Sequence, residues 1–309
     1  MVNCNEQHNQ QKITGYEIRN YLFCIDNFLL TSCSGKILKS ENSVAPITSD
    51  SVTFNYGYSD VNGLKMYYEI YGQGKPLVLI HGGGSTIQTN FGKIIPLLAR
   101  NRKVIAVELE AHGRTNSRNT DLTFEQDADD VAELLKNLNI GKADFFGFSN
   151  GGTTALQIAI RHHEIVNKII LGSALAKRNG VPDWFWGFME NARLENMPAL
   201  LKAGYKEAAA DTNGLQLMHD KDAKRMINFK DISDEQIKSI KTPALIIIAD
   251  KDIITPEHAI EMHRLIDNSE LAIIPGEHGE YIGEITTIKP DFKESDLIVT
   301  IIERFLDKK

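Results

Sequence analysis

At 309 residues, 42% apolar and 24% charged, the chain is long enough for one large α/β domain with an insertion or for two smaller domains. A net charge of -7, with no block of lysines and arginines, argues against nucleic acid as a partner. No run of about 18 apolar residues suggests a transmembrane helix, and the three cysteines (Cys4, Cys24, Cys33) leave the body without a disulfide framework or a thiolate zinc site.

Residues 1–51 read as an N-terminal tail distinct from the rest of the chain. Leu30-Thr31-Ser32-Cys33 resembles a bacterial lipobox, with Lys12 and Arg19 as the positive flank and Tyr21 to Leu30 as the apolar segment of a signal peptide. On that reading Cys33 is lipidated and Ser34 to Ser51 tether the protein to a cell envelope. Asp26 and Asn27 interrupt the apolar segment, and a carboxylate there costs about 2.5–3.5 kcal/mol on insertion scales. The alternative is a polar tail with a chance cysteine on a cytoplasmic protein.

From Val52 the chain becomes regular. Val52 to Val61 and Leu64 to Tyr71 are β-prone runs joined by Asn62-Gly63, a hairpin signal. Leu77 to Ile80 and Lys103 to Val107 are apolar runs of the kind buried on both faces of a parallel sheet. Asp121 to Leu138 predicts an amphipathic helix with an acidic start. Further strands are expected at Ala143 to Phe146, Val166 to Leu171, Ala244 to Ala249 and Glu270 to Ile274. Helices are expected after Ser149, over Pro256 to Ile266 and over Ser295 to Leu306. Alternating apolar strands and helices predict a mostly parallel sheet covered on both faces. That gives a core of residues 52–173 and 242–309. Residues 174–241 hold no convincing strand and read as an inserted helical cap. Its aromatics and methionines pack between cap and core, or some of them, Trp184, Trp186 and Phe188 first, face a substrate.

Gly147-Phe148-Ser149-Asn150-Gly151-Gly152 lies between a strand and a helix. A sharp turn there needs residues without a Cβ beside the serine, and it holds the Ser149 hydroxyl above the carboxyl edge of the sheet. Serine needs a base, and the base needs an orienting group. His278 comes after the strand at Glu270 to Ile274; Asp252, with Asp250 as competitor, comes after the strand at Ala244 to Ala249. All would reach the same edge in the order Ser, Asp, His. His81 and His112 read as structural groups within glycine-rich loops, and His162-His163-Glu164 as a solvated helix end rather than a metal site. The expected oxyanion donors are the backbone N–H groups of Asn150 and Gly83. Neither a metal nor an organic cofactor is expected.

His81-Gly82-Gly83, Gly147 to Gly151, Asp252 and His278, in that order, resemble the landmarks of the α/β-hydrolase superfamily over Val52 to Leu306. The resemblance implies a central, mostly parallel sheet with an inserted cap, and Ser-His-Asp hydrolysis through an acyl-enzyme. In Glu108-Leu109-Glu110-Ala111-His112-Gly113, Glu110 stands where the family commonly has arginine, which removes a positive charge expected near the site entrance. Serine at the elbow disfavours the dehalogenase and epoxide hydrolase branches, which use aspartate. The expected activity is hydrolysis of a small or medium carboxylic ester. A C–C bond hydrolase, a perhydrolase, or a small-molecule receptor with slow or incidental hydrolysis would use the same residues. Composition is silent on oligomeric state.

Overall fold

In the computed structural model, residues 53–309 are described, apart from Ala210 and Glu294. Cys33, the lipobox reading and the tether lie outside the described residues. β1 (Phe54–Val61) and β2 (Leu64–Tyr71) form the expected hairpin. Asn62 (φ 47°) and Gly63 (φ 78°) both adopt the left-handed conformation that a two-residue turn requires. β3 (Lys75–Ile80) leads through α1 (Ile87–Phe91) and α2 (Ile95–Leu98) to β4 (Arg102–Val107). α3 (Phe124–Asn137) starts later than its acidic approach suggested, because Thr123 caps it by accepting from the Gln126 N–H. Next come β5 (Ala143–Phe148), α4 (Asn150–Arg161) and β6 (Val166–Gly172).

The eight strands make one sheet in the order β1-β2-β4-β3-β5-β6, then β7 (Ala244–Ala249) and β8 (Ser269–Ile274). β1–β2 and β2–β4 pair antiparallel, and every pairing from β4 to β8 is parallel. β5 and β7 are buried at every position, which is why β7 reads as an unbroken apolar run and β5 is apolar apart from Asp144, which pairs with the buried Arg102. One face of the sheet packs on α3 and α4 through residues such as Val78, Phe145, Leu134 and Leu156. The other packs on α10 (Ser295–Leu306) through Leu79, Phe146, Ile302 and Phe305. α9 (Pro256–Leu265), with proline in its first turn, links β7 to β8. This is the α/β-hydrolase fold.

Between β6 and β7 the described residues form helices and no strand: α5 (Trp184–Glu190), α6 (Ala199–Ala208), α7 (Gly214–Ile227) and α8 (Asp234–Lys238). α7 buries Leu215, Met218, Asp222, Arg225 and Met226, a helical stripe that includes two charges. The helix is tied to the core by its charged side chains. Arg225 donates to Asp127 of α3 at 2.6 Å, and Lys221 reaches Glu110 at 3.1 Å and Ser117 at 2.6 Å. Glu110 is buried and also pairs with Arg118, so it ties loop to helix instead of shaping an entrance. Among the described residues no helix is long and apolar enough to cross a membrane.

Candidate active site

β5 ends in a turn with little freedom. A Cβ on Gly147 would lie 2.0 Å from the Gly151 carbonyl oxygen, and one on Gly151 would lie 2.1 Å from that of Ile80. Between them Ser149 adopts φ 54° and ψ -121°, a conformation that costs a non-glycine residue about 1–3 kcal/mol. Its N–H donates to the Gly172 carbonyl at 2.8 Å, fixing the turn to the end of β6. The serine is held in place by backbone, before any side chain acts.

The loops after β7 and β8 bring two side chains to it. Ser149 donates its hydroxyl proton to His278 Nε2 at 3.1 Å, and His278 Nδ1–H donates to Asp252 Oδ1 at 2.6 Å. Asp250, the competing carboxylate, instead accepts the Gly276 N–H at 2.8 Å and so shapes the histidine loop. Glycine comes after the histidine here because Gly279 has φ 74° and a Cβ on it would lie 2.4 Å from the Phe148 ring.

Two residues that the sequence did not single out stand behind Asp252. Ser173 donates to Asp252 Oδ2 at 2.6 Å, and since its single proton is used there, Tyr281 donates to Ser173 at 2.9 Å. The position of Ser173 at the end of β6, beside the elbow strand, was the available signal. Burial disfavours the Asp252 charge, but the His278 ring, through its charge and hydrogen bond, outweighs that cost together with Ser173 and the Ile254 N–H at 3.0 Å, and holds the Asp252 pKa below the usual carboxylate value. For His278, burial disfavours the charged form, but the Asp252 charge and hydrogen bond prevail and raise its pKa above 6.5. The arrangement can accept a proton from Ser149 and hold the resulting imidazolium.

His81 is fully buried, bonded from Nδ1 to the Gly82 carbonyl and accepting the Leu109 N–H at Nε2; burial pushes its pKa down to about 3. It serves its loop, as expected. His112 does more, donating to the Glu110 carbonyl and also lying 2.9 Å from Asp222 of α7. His162 pairs with Asp129 at 2.7 Å at the end of α4.

Ser149 opens into a cavity of about 260 Å³, near the lower end of ligand pockets (~300–1,000 Å³). Gly83, Gly84, Ser149 and Asn150 form its floor, and residues of α5, α6 and α7 form its walls. Among the described residues neither the Gly83 N–H nor the Asn150 N–H has a protein partner. Of the three aromatics expected to face a substrate, only Phe188 lines the cavity, together with its neighbours Phe185 and Met189. Trp184 is 62% exposed and turned away. Trp186 stacks on Phe229, with the Arg178 guanidinium 3.6 Å from its ring centroid and its indole N–H bonded to the Arg178 carbonyl. α5 buries none of its residues fully, so aromatic composition could not tell which side faces inward. Arg193 also reaches the cavity, with no carboxylate within ion-pair distance among the described residues.

A family model for the α/β hydrolase fold matches residues 75–226. The 2-hydroxy-6-oxo-6-(2'-aminophenyl)hexa-2,4-dienoic acid hydrolase of Metapseudomonas resinovorans is 28% identical over 238 residues, 71% of this chain and 82% of that protein. The 2-hydroxymuconate semialdehyde hydrolase of Pseudomonas sp. strain CF600 is 40% identical over 108 residues, 33% of this chain and 38% of its own. Among solved structures, the 2-hydroxy-6-oxo-6-phenylhexa-2,4-dienoate hydrolase of Rhodococcus sp. strain RHA1 has a TM-score of 0.67 at 19% identity, covering 84% of this chain and 100% of that one. At that identity the likeness is one of fold.

Proposed function

The chain belongs to the α/β-hydrolase superfamily, and from that membership we propose that it is a serine hydrolase breaking a carbon–carbon bond beside a ketone in a carboxylate-bearing substrate. The observation that carries the hydrolase reading is the Ser149–His278–Asp252 series on the floor of a cavity walled by helices. The bond type is supported by the relatives. A 2-hydroxy-6-oxo-dienoic acid, named for the relative that matches 82% of its length, holds no ester or amide bond. Its hydrolysis must therefore break a carbon–carbon bond next to the ketone. Arg193, a cation without an ion partner among the described residues, suits the carboxylate of such a compound.

Each residue has a defined step. His278 takes the Ser149 proton as Oγ attacks the ketone carbon, and Asp252 holds the imidazolium. The N–H groups of Gly83 and Asn150 receive the oxyanion, each worth about 3–4 kcal/mol of transition-state stabilisation. Because C5 of the dienoate is vinylic, the 2-hydroxyl proton first moves to C5 to give the 3-ene-2,6-dione. Collapse then expels the C5 fragment as a dienolate delocalised into its new ketone, and His278 returns the proton to it. Water, deprotonated by His278, then releases the acyl group from Ser149 as a carboxylic acid. One water is consumed, and one acid and one protonated carbon fragment are formed.

The test is spectrophotometric. With 2-hydroxy-6-oxo-6-phenylhexa-2,4-dienoic acid as substrate, the conjugated chromophore bleaches and benzoic acid appears, and both stop in Ser149→Ala. Turnover of p-nitrophenyl esters with no bleaching would overturn the carbon–carbon reading. It would leave ester hydrolysis, which the apolar wall of Phe188, Met197, Leu201 and Met218 favours on its own.

A further inference from the structure

Three consecutive glycines, Gly82-Gly83-Gly84, face the serine, and such a run is the least self-ordering backbone a chain can offer. Its three N–H groups are treated differently. That of Gly82 donates to the buried Asn90 side chain, from α1, at 2.7 Å. That of Gly84 donates to Asp222 Oδ2, from α7, at 2.6 Å, with His112 Nε2 farther off at 3.2 Å. The one between them, on Gly83, is left unpaired among the described residues.

We propose that Asp222 of the helical insertion is a positioning residue for the oxyanion donor. By holding the Gly84 N–H it aims the Gly83 N–H at the place where negative charge develops. The proposal rests on the reading of Ser149 as the nucleophile. A carboxylate so close to that charge would be unfavourable unless neutralised, and the surroundings neutralise it. Arg225 bonds Asp222 Oδ1, and His112 Nε2 lies 2.9 Å from Oδ2. His112 Nδ1 faces the Glu110 carbonyl at 2.8 Å and must donate there, so a proton between Nε2 and Oδ2 makes the ring an imidazolium. Asp127, on the far side of Arg225, completes the group. The core thus contributes Asn90 and the insertion Asp222, one on either side of the working amide, and the site is complete only when α7 is docked.

The experiment compares a boronic acid, whose adduct with Ser149 places an oxygen against the Gly83 and Asn150 N–H groups, with the product acid, which forms no adduct. In Asp222→Ala the boronate affinity falls by about 10- to 100-fold, while product affinity changes by no more than about twofold. Asp222→Asn, which keeps an acceptor for Gly84, recovers most of the loss. Lys221→Met, which removes a tie between α7 and the Glu110 loop while Arg225 and Asp222 keep theirs to Asp127 and Gly84, leaves the ratio of the two affinities as in the wild type. Should the alanine variant not fold, Asp222→Ser, whose hydroxyl falls short of Gly84, carries the same expectation. An unchanged ratio in Asp222→Ala, or an equal fall in Lys221→Met, overturns the positioning role. A wild type that binds no boronate overturns the Ser149 reading itself, and the positioning role with it.

Discussion

The carboxyl edge of the sheet and the helical insertion above it are built on opposite terms. At the edge, position is set by backbone: two glycines that tolerate no Cβ, a serine held at φ 54°, and two strands, β5 and β7, buried at every residue. In the insertion, position is set by side chains. α7 is fastened through Lys221, Asp222 and Arg225, whereas α5 is fastened so lightly that its aromatics divide between the cavity, the solvent and Arg178. The reacting groups are thus held by the part of the molecule with least freedom. Selectivity is left to a part whose side chains can change at little cost to the fold.

Substitutions should respect that division. Ser149→Ala reduces kcat by about 10⁴- to 10⁶-fold with its melting temperature preserved; kinetics beside thermal unfolding checks this. Asp252→Asn comes next at about 10⁴-fold. That variant also tests the pH dependence. His278 must be neutral to accept a proton, and its pKa lies above 6.5, so kcat/KM rises with pH through a midpoint above that value. Removing the Asp252 charge removes the group that raises it, so the residual activity has a lower midpoint. A midpoint that stays put in Asp252→Asn would separate the histidine from its carboxylate.

Ser173→Ala deletes one charge-assisted hydrogen bond to Asp252 and lowers kcat/KM by about tenfold, with KM little altered. Outside the docked face of α7, the effects in the insertion are smaller and fall on binding. Arg193→Gln raises KM about fivefold for carboxylate-bearing substrates and leaves neutral esters unaffected, as suits an exposed cation. Trp184→Ala, exposed and outside the cavity, changes kcat/KM by no more than about twofold. A larger loss in Trp184→Ala than in Ser173→Ala would break the comparison.

Legibility in the sequence divides along the same line. Asn62-Gly63, the apolar strands and the glycine-flanked serine carry their geometry in residue type, because few residues can occupy those backbones. Asp250 and Asp252 are harder to separate, since both come after β7 and only the path of the histidine loop sends Asp250 to the Gly276 N–H. Trp184 and Trp186 defeat composition because a seven-residue helix on the surface turns its aromatics wherever a neighbour such as Phe229 or Arg178 waits. Asp222 gives no signal at all. Within Lys221-Asp222-Ala223-Lys224-Arg225 it reads as one charge of a solvated helix face, and its role exists only through long-range contacts with Gly84 and His112.

The most direct test of the central claim, that Ser149 is a nucleophile activated by His278, is intact-protein mass spectrometry after exposure to a fluorophosphonate. The account predicts rapid addition of one phosphonyl group, located at Ser149 by peptide mapping, and no addition in Ser149→Ala or in folded His278→Ala. A folded wild-type protein that gains no mass, or that labels equally without His278, would contradict it.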